Sequence, residues 1–269
     1  MSRTAFALAA GATGTLVVLS ASPALADSHT ATVSVLHAIP DTPVDVYANG
    51  ERLIDDFQPG TLTDPLELPA GDYDLAVFPA DAADDSGSPL LSADGVAVPA
   101  GANATVAAHL TAEGQPALTP FVNDTSEVAA GQARVTVRHT AAAPAVDVRA
   151  GGQVVIDGLT NPNEESLTVP AGTVSADVVL AGTDTVAIGP ADLALEEGTT
   201  TIVYAWGSQD AGYELAVQTI ASHSAPSGVP GGSAGLVDDG GLPLPVVAVS
   251  LAGLVAAGVG VRRLAGSRA

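Results

Sequence analysis

Two histidines and two aspartates recur at matching positions of the chain and could form a polar site. His37 ends the stretch Val-Ser-Val-Leu-His, and His139 ends the similar stretch Val-Thr-Val-Arg-His. Asp45 and Asp147 each lie at the centre of a Val-Asp-Val sequence a few residues later. Because a carboxylate can orient an imidazole for general base catalysis, a His–Asp pair is one hypothesis for these residues.

The alternative interpretation of the same residues is structural, and we favour it. No Ser, Thr or Tyr follows the motif in both copies as an evident nucleophile. A buried imidazole or carboxylate needs hydrogen-bond partners, and these side chains could tie the bend after each strand to the sheet. The sequence therefore predicts no catalytic, cofactor-binding or metal-ligating residues, no cofactor and no enzymatic activity.

A second polar cluster offers oxygen ligands for calcium. Asp81, Asp84 and Asp85 lie in one segment with Ser86 and Gly87. Several carboxylates in a flexible loop can bind calcium, but this spacing differs from that of an EF-hand loop. A solvated acidic loop is the preferred interpretation.

Three further features of the sequence could bear on function. Residues 231–235 read Gly-Gly-Ser-Ala-Gly, the G-x-S-x-G pattern of a hydrolase nucleophile, but no strand precedes them and no helix follows. Asn103 and Asn123 begin glycosylation sequences, which matter only where the source modifies asparagine. Trp206 is the only tryptophan and lies in an apolar run, so we expect it in a core.

The composition restricts the possible partners. The chain has 269 residues, a formal net charge of −22, no lysine and no cysteine, and all 30 of its acidic residues fall within residues 27–239. Such a negative surface repels nucleic acid and anionic lipid. Without cysteine there is neither a disulfide nor a thiolate metal site, so the folded regions must be stabilised by burial of apolar surface.

Both ends of the chain carry targeting signals. Residues 1–26 combine a charged start, an apolar middle and a final Ala-Leu-Ala, which predicts a cleaved signal peptide. Residues 222–241 are rich in Gly, Pro and Ser and predict a flexible stalk. Residues 244–261 are uncharged and long enough for a transmembrane helix, and the basic tail 262–269 then lies in the cytoplasm.

The elements that must position the polar residues are short strands. The stretch 33–50 recurs at 135–152 without a gap, and both copies alternate apolar and polar residues with turn signals between the runs. We therefore predict an all-β chain with two tandem immunoglobulin-like β-sandwich domains at 30–122 and 133–221. The Cys…Trp…Cys spacing of true immunoglobulin domains is absent.

The first copy of the motif resembles a known family. The run from His37 to Gly50, followed by Leu-Pro-Ala-Gly-Asp-Tyr at 68–73, resembles domain-of-unknown-function family 4397, and the two copies together cover most of the exported region. The second copy departs from it, with Ala143 in place of Asp41 and Arg149 in place of Tyr47. The resemblance implies a β-sandwich on an exported or surface-tethered microbial protein, often in tandem, and implies no activity.

These observations predict a non-enzymatic cell-surface protein that holds two β-sandwich modules outside the membrane through its C-terminal helix. Adhesion, envelope structure and ligand binding are the roles it would suit, and its oligomeric state is left open. A secreted hydrolase that uses loop carboxylates, or a module that binds calcium or carbohydrate, is the alternative. A concave pocket with two close carboxylates, or with a histidine beside a nucleophile, would favour the enzyme.

Overall fold

The computed structural model describes residues 29–82 and 87–222, and in this part every regular element is a β-strand. Within these residues there is no helix with the length and apolar character needed to span a membrane. The predicted signal peptide, stalk, transmembrane segment and basic tail, apart from Ser222, lie outside the described residues.

Eight strands form the first sandwich. Sheet A has the order β4-β1-β7-β8 and sheet B the order β3-β2-β5-β6. Strands β1 and β7 pair in parallel, and the other neighbours are antiparallel. The strand bounds are β1 Thr30–Ala38, β2 Val44–Ala48, β3 Glu51–Phe57, β4 Leu66–Pro69, β5 Gly71–Pro79, β6 Leu91–Val98, β7 Asn103–Leu110 and β8 Pro116–Val122.

The second sandwich repeats this topology strand for strand. Sheet C has the order β12-β9-β15-β16 and sheet D the order β11-β10-β13-β14, with β9 and β15 parallel. The bounds are β9 Gln132–His139, β10 Val146–Ala150, β11 Gln153–Leu159, β12 Glu164–Pro170, β13 Gly172–Leu180, β14 Val186–Leu195, β15 Thr199–Ser208 and β16 Gly212–Ala221. The duplication seen in the sequence is therefore also a duplication of fold.

The predicted immunoglobulin type is wrong in its strand order. In an immunoglobulin domain the first strand pairs with the second. Here β1 pairs with β4 and β7, while β2 pairs with β3 and β5 in the opposite sheet. Alternating residues and turn signals indicate where strands lie but carry no information about which strands pair.

Strand β14 continues through a break in the apolar pattern of its sequence. It begins at Val186 and ends at Leu195. Gly189 and Pro190 interrupt the pattern inside it. Because β14 is an edge strand of sheet D, a proline without an N–H is tolerated there.

Each sandwich has its own apolar core. In the first, Val35 of sheet A packs with Val44, Val46 and Val77 of sheet B. In the second, Val137 of sheet C packs with sheet D through a set of branched side chains, namely Val146, Val148, Ile156, Leu159 and Val178. Aliphatic side chains on facing strands thus fill both interiors, as the low aromatic content requires.

A third buried layer joins the two sandwiches, because sheets A and C pack face to face. Leu36 of β1 and Phe121 of β8 share a cluster with Tyr204 and Trp206 of β15. The sheets therefore stack in the order B, A, C, D, and the inner strands of the two central sheets, β1, β7, β9 and β15, are largely buried on both faces. This explains the nearly continuous burial of β15, in which only the first and last of its ten residues are partly exposed.

Candidate functional site

The two motif histidines do not contact the motif aspartates; each ties down the bend that follows its own strand. The Nε2 atom of His37 lies 2.7 Å from the carbonyl oxygen of Thr42, and its Nδ1 atom accepts from the Ile39 N–H at 3.4 Å. His139 makes the same two contacts, with the Pro144 carbonyl and the Ala141 N–H.

These contacts define the protonation state of both rings. A carbonyl oxygen only accepts, so Nε2 must carry the proton, and Nδ1 must be bare to accept from an N–H. Burial lowers the pKa of His37 and of His139 below the ordinary value, although the carbonyl partner opposes the shift. Both imidazoles are therefore neutral structural groups at physiological pH.

The aspartates hold a bulge in the neighbouring strand. Asp45 accepts from the Asp56 N–H at 2.8 Å, and Asp147 accepts from the Gly158 N–H at 2.8 Å and the Gly182 N–H at 2.9 Å. The N–H donors of Gly182 and Gly158 lower the pKa of Asp147. The carboxylates and imidazoles thus bond separate stretches of backbone, as the structural interpretation of the motif expects.

A polar network lies between sheets A and C, among residues that the sequence motifs did not single out. Arg138 is only 1% exposed and pairs with Glu164 at 2.6 Å. It donates to the Tyr204 hydroxyl at 2.7 Å, which in turn donates to Gln218 Oε1 at 2.8 Å. Gln218 Nε2 donates to Ser34 of the first sandwich at 3.2 Å. The network therefore links the two sandwiches through side chains that are almost completely buried.

A signal for this network was present in the sequence. The second copy of the motif reads Val-Thr-Val-Arg-His, and Arg138 stands where the first copy has Leu36. An arginine beside apolar residues on a predicted buried strand needs both a counter-ion and a way to shield its charge. The guanidinium group of Arg138 also lies over the Phe121 ring, 4.4 Å from its centroid.

The two glycosylation sequences fold against each other. Asn123 is 4% exposed, and its amide nitrogen donates to the Asn103 side chain at 2.7 Å and to Thr105 at 3.1 Å. A sugar on Asn123 would have to break this arrangement. The two asparagines are therefore structural in the folded protein.

The structure describes only some of the remaining residues that the sequence singled out. Trp206 is 6% exposed and its ring lies against Gly60, so the core role expected for it is confirmed. Asp81 is exposed, while Asp84, Asp85 and the segment 231–235 lie outside the described residues. Among the residues that are described, no group of three or more His, Asp or Glu side chains could hold a metal ion.

A groove of about 420 Å³ opens beside the interface of the two sandwiches. One wall is the stretch Val217–Ala221 of β16, and the other combines Thr32 and Ser34 of β1 with Leu62–Pro65 and Asn103. Successive residues of a strand point to opposite faces, so five in a row line the groove only if it follows the strand's edge. That edge is unpaired, since β16 pairs with β15 alone in the part of the chain that is described.

Comparison with known proteins supports the family resemblance. The model of the family described as Domain of unknown function (DUF4397) matches residues 31–149. The match covers the first sandwich and the beginning of the second. Comparison with curated proteins finds no match.

One solved structure with a similar chain is a candidate cell adhesion protein from Bacteroides uniformis ATCC 8492, determined at 1.67 Å resolution. The match has 8% sequence identity and a TM-score of 0.18, and it covers 71% of this chain and 96% of the other.

Proposed function

We propose that this chain is a non-enzymatic cell-surface protein that displays two β-sandwich modules for adhesion, envelope structure or ligand binding. A cleaved signal peptide would export the chain, and the apolar segment 244–261 would hold it in the membrane with its C-terminus in the cytoplasm. The segment 222–241 would act as the stalk between the membrane and the modules.

The observation that carries the proposal is that the polar side chains of the repeated motif make the same kinds of contact in both copies. His37 and His139 bond carbonyl oxygens of their own bends, and Asp45 and Asp147 bond N–H groups of a neighbouring strand. Side chains that hydrogen-bond to the backbone in both copies have a structural role. The identical strand order of the two sandwiches supports a tandem of two copies in the same way.

The burial of the interface supports a display role as well. Buried Gln218 of the second sandwich donates to Ser34 and accepts from Thr105 of the first, and these bonds oppose hinge motion between the two sandwiches. A rigid tandem module with a strongly negative surface suits presentation of its outer faces and edges to the surroundings.

Epitope accessibility on intact cells tests the location. One tag is placed in the exposed β15–β16 turn after Asp210, and a second tag follows Ala269 in a separate variant. Antibody should bind the turn tag on intact cells and the C-terminal tag only after permeabilisation. If the turn tag also requires permeabilisation, the surface location is wrong.

A further inference from the structure

The duplicated fold allows the groove along β16 to be compared with its counterpart in the second sandwich. The copies are related by an offset of 102 residues, which places Thr32 opposite Arg134. Thr32 pairs with Asn103 and Arg134 pairs with Thr200, so these neighbours also correspond.

The same registers relate the two edge strands. Ala104 of β7 and Thr201 of β15 are counterparts. Val122 of β8 lies beside Ala104, and Thr219 of β16 lies beside Thr201, so Val122 and Thr219 correspond. Ala221, at the end of the groove wall, therefore corresponds to Asp124 in the chain that follows β8.

An arginine fills this place in the second sandwich. The guanidinium group of Arg134 pairs with the Asp124 carboxylate at 3.3 Å and donates to the Asp124 carbonyl at 3.3 Å. It also donates to the Ser126 carbonyl at 3.1 Å and to Thr200 Oγ1 at 3.4 Å. Backbone carbonyls beyond the edge strand and one carboxylate thus surround a cation.

The first sandwich lacks the arginine at this place, and Ala221 stands where Asp124 supplies a carboxylate in the second. Thr32 is too short to reach the edge of β16, and its hydroxyl donates to Glu67 at 2.8 Å instead. Asp64 is the only charged residue in the groove lining, and oxygen-bearing side chains of Ser34, Thr63 and Thr219 accompany it. We propose that this groove binds an arginine side chain carried by an extended segment of a partner protein, which pairs with the free edge of β16.

Two features favour this occupant. An unpaired strand edge recognises an extended peptide through main-chain hydrogen bonds, while a flanking pocket selects its side chain. The surrounding surface is strongly negative, and the four arginines of the described residues are engaged with carboxylates of the chain itself. A cationic segment therefore complements this edge, whereas an acidic one would be repelled.

Fluorescence anisotropy of labelled pentapeptides with the full-length purified protein tests the proposal. The probe is acetyl-Thr-Val-Arg-Val-Thr-amide, and the matched probe carries citrulline, which keeps the shape of arginine but is neutral. We expect the arginine peptide to bind and the citrulline peptide to bind about tenfold more weakly, because charge-assisted hydrogen bonds are lost.

Two variants locate the binding site. Thr32→Arg should fill the groove from within, as Arg134 does in the second sandwich, and abolish binding; Thr168→Arg adds the same charge on the exposed β12 strand and should not. Asp64→Asn should weaken binding about threefold, as expected for an exposed ion pair, and Asp210→Asn should leave it unchanged.

The proposal is overturned if both peptides bind equally, if neither binds, or if Thr32→Arg keeps its melting temperature and still binds the arginine peptide. The inference rests on the proposed function for its biological setting. Its test uses purified protein, so a negative titration leaves the surface location untouched, and a failed location test leaves the binding result standing.

Discussion

At the scale of single residues, the polar groups of the repeated motif serve the backbone. Each imidazole accepts one N–H and donates to one carbonyl, which satisfies a neutral ring completely. His109 is likewise buried, between the Leu110 carbonyl and the Thr119 hydroxyl. Protonation of His37 or His139 would therefore place a second N–H donor against an existing N–H, and protonation of any of the three would charge a buried ring.

Acid should destabilise the fold through these histidines. Burial lowers the pKa of His37, His109 and His139, so the unfolded chain binds more protons than the folded chain below about pH 6.5. Stability is fully present above that pH and is lost as the pH falls through the folded-state values. We expect the melting temperature to fall between pH 7.5 and pH 5.

Single substitutions separate this contribution from that of the carboxylates. His37→Ala should lower the melting temperature at pH 7.5 and flatten its pH dependence, whereas His29→Ala, at an exposed position, should do neither. A His37→Ala protein that keeps its stability but loses a measured activity would contradict the structural role.

The bulge held by each aspartate predicts a backbone effect. Gly158 has a φ of +66° and its N–H donates to Asp147, while the corresponding Asp56 is left-handed with a φ of +52°. A Cβ on Gly158 would meet no neighbour, so only the conformation opposes a side chain there. Gly158→Ala should lower the free energy of unfolding by about 1 kcal/mol in chemical denaturation.

Gly87→Ala is the matched control for this substitution. A Cβ there also meets no neighbour, and the residue does not have the left-handed conformation. If both alanine variants are equally stable, backbone conformation is not what the glycine at the bulge provides.

At the scale of elements, the inner strands of sheets A and C differ from ordinary sandwich strands because both of their faces are largely buried. Strand β1 sends Val33 and Val35 towards sheet B, and Leu36 with Ala38 towards sheet C. Polar side chains in the second layer must find partners there, since water is excluded. Tyr204 meets this requirement by accepting a hydrogen bond from Arg138 and donating one to Gln218. Gln218 also accepts a hydrogen bond from Thr105.

Removal of one hydroxyl from this layer should be costly. Tyr204→Phe leaves the Arg138 guanidinium and the Gln218 amide each short of a partner, so we expect a loss of about 1–3 kcal/mol in unfolding free energy. Tyr73→Phe removes an exposed hydroxyl bond to the Pro69 carbonyl and should cost much less. Equal losses in the two variants, measured by denaturant titration, would mean that the network does not stabilise the interface.

At the scale of the whole molecule, the contacts between the two sandwiches stabilise both of them. Separation would expose Leu36, Phe121, Tyr204 and Trp206 to water and would take the Phe121 ring and the Val122 carbonyl away from the buried Arg138. The short connection between β8 and β9 also contacts the second sandwich, where Thr200 donates to the Asp124 carbonyl.

We therefore expect the described region to unfold in one cooperative step. Calorimetry should give a single transition whose calorimetric and van't Hoff enthalpies agree. Ile202→Arg, which places a charge in the buried layer between the sandwiches, should split or broaden that transition. Two separate transitions in the unaltered protein would show that the interface contributes little.

The sequence by itself determined the strands, their approximate bounds and the duplication. Alternation with a period of two and glycine-bearing turns depend only on local geometry, so they can be recognised residue by residue. It also indicated that the motif histidines and aspartates are structural, because no nucleophile accompanies them.

Only the tertiary structure decided how the strands pair and which sheets meet. Strand partners and facing sheets depend on residues far apart in the chain, such as Ser34 and Gln218, and no local pattern encodes their contact. For the same reason Arg138 could be seen as unusual in sequence while its partners could not be named. The groove along β16 likewise arises from β1, β16 and the segment before β4, which are brought together by packing alone.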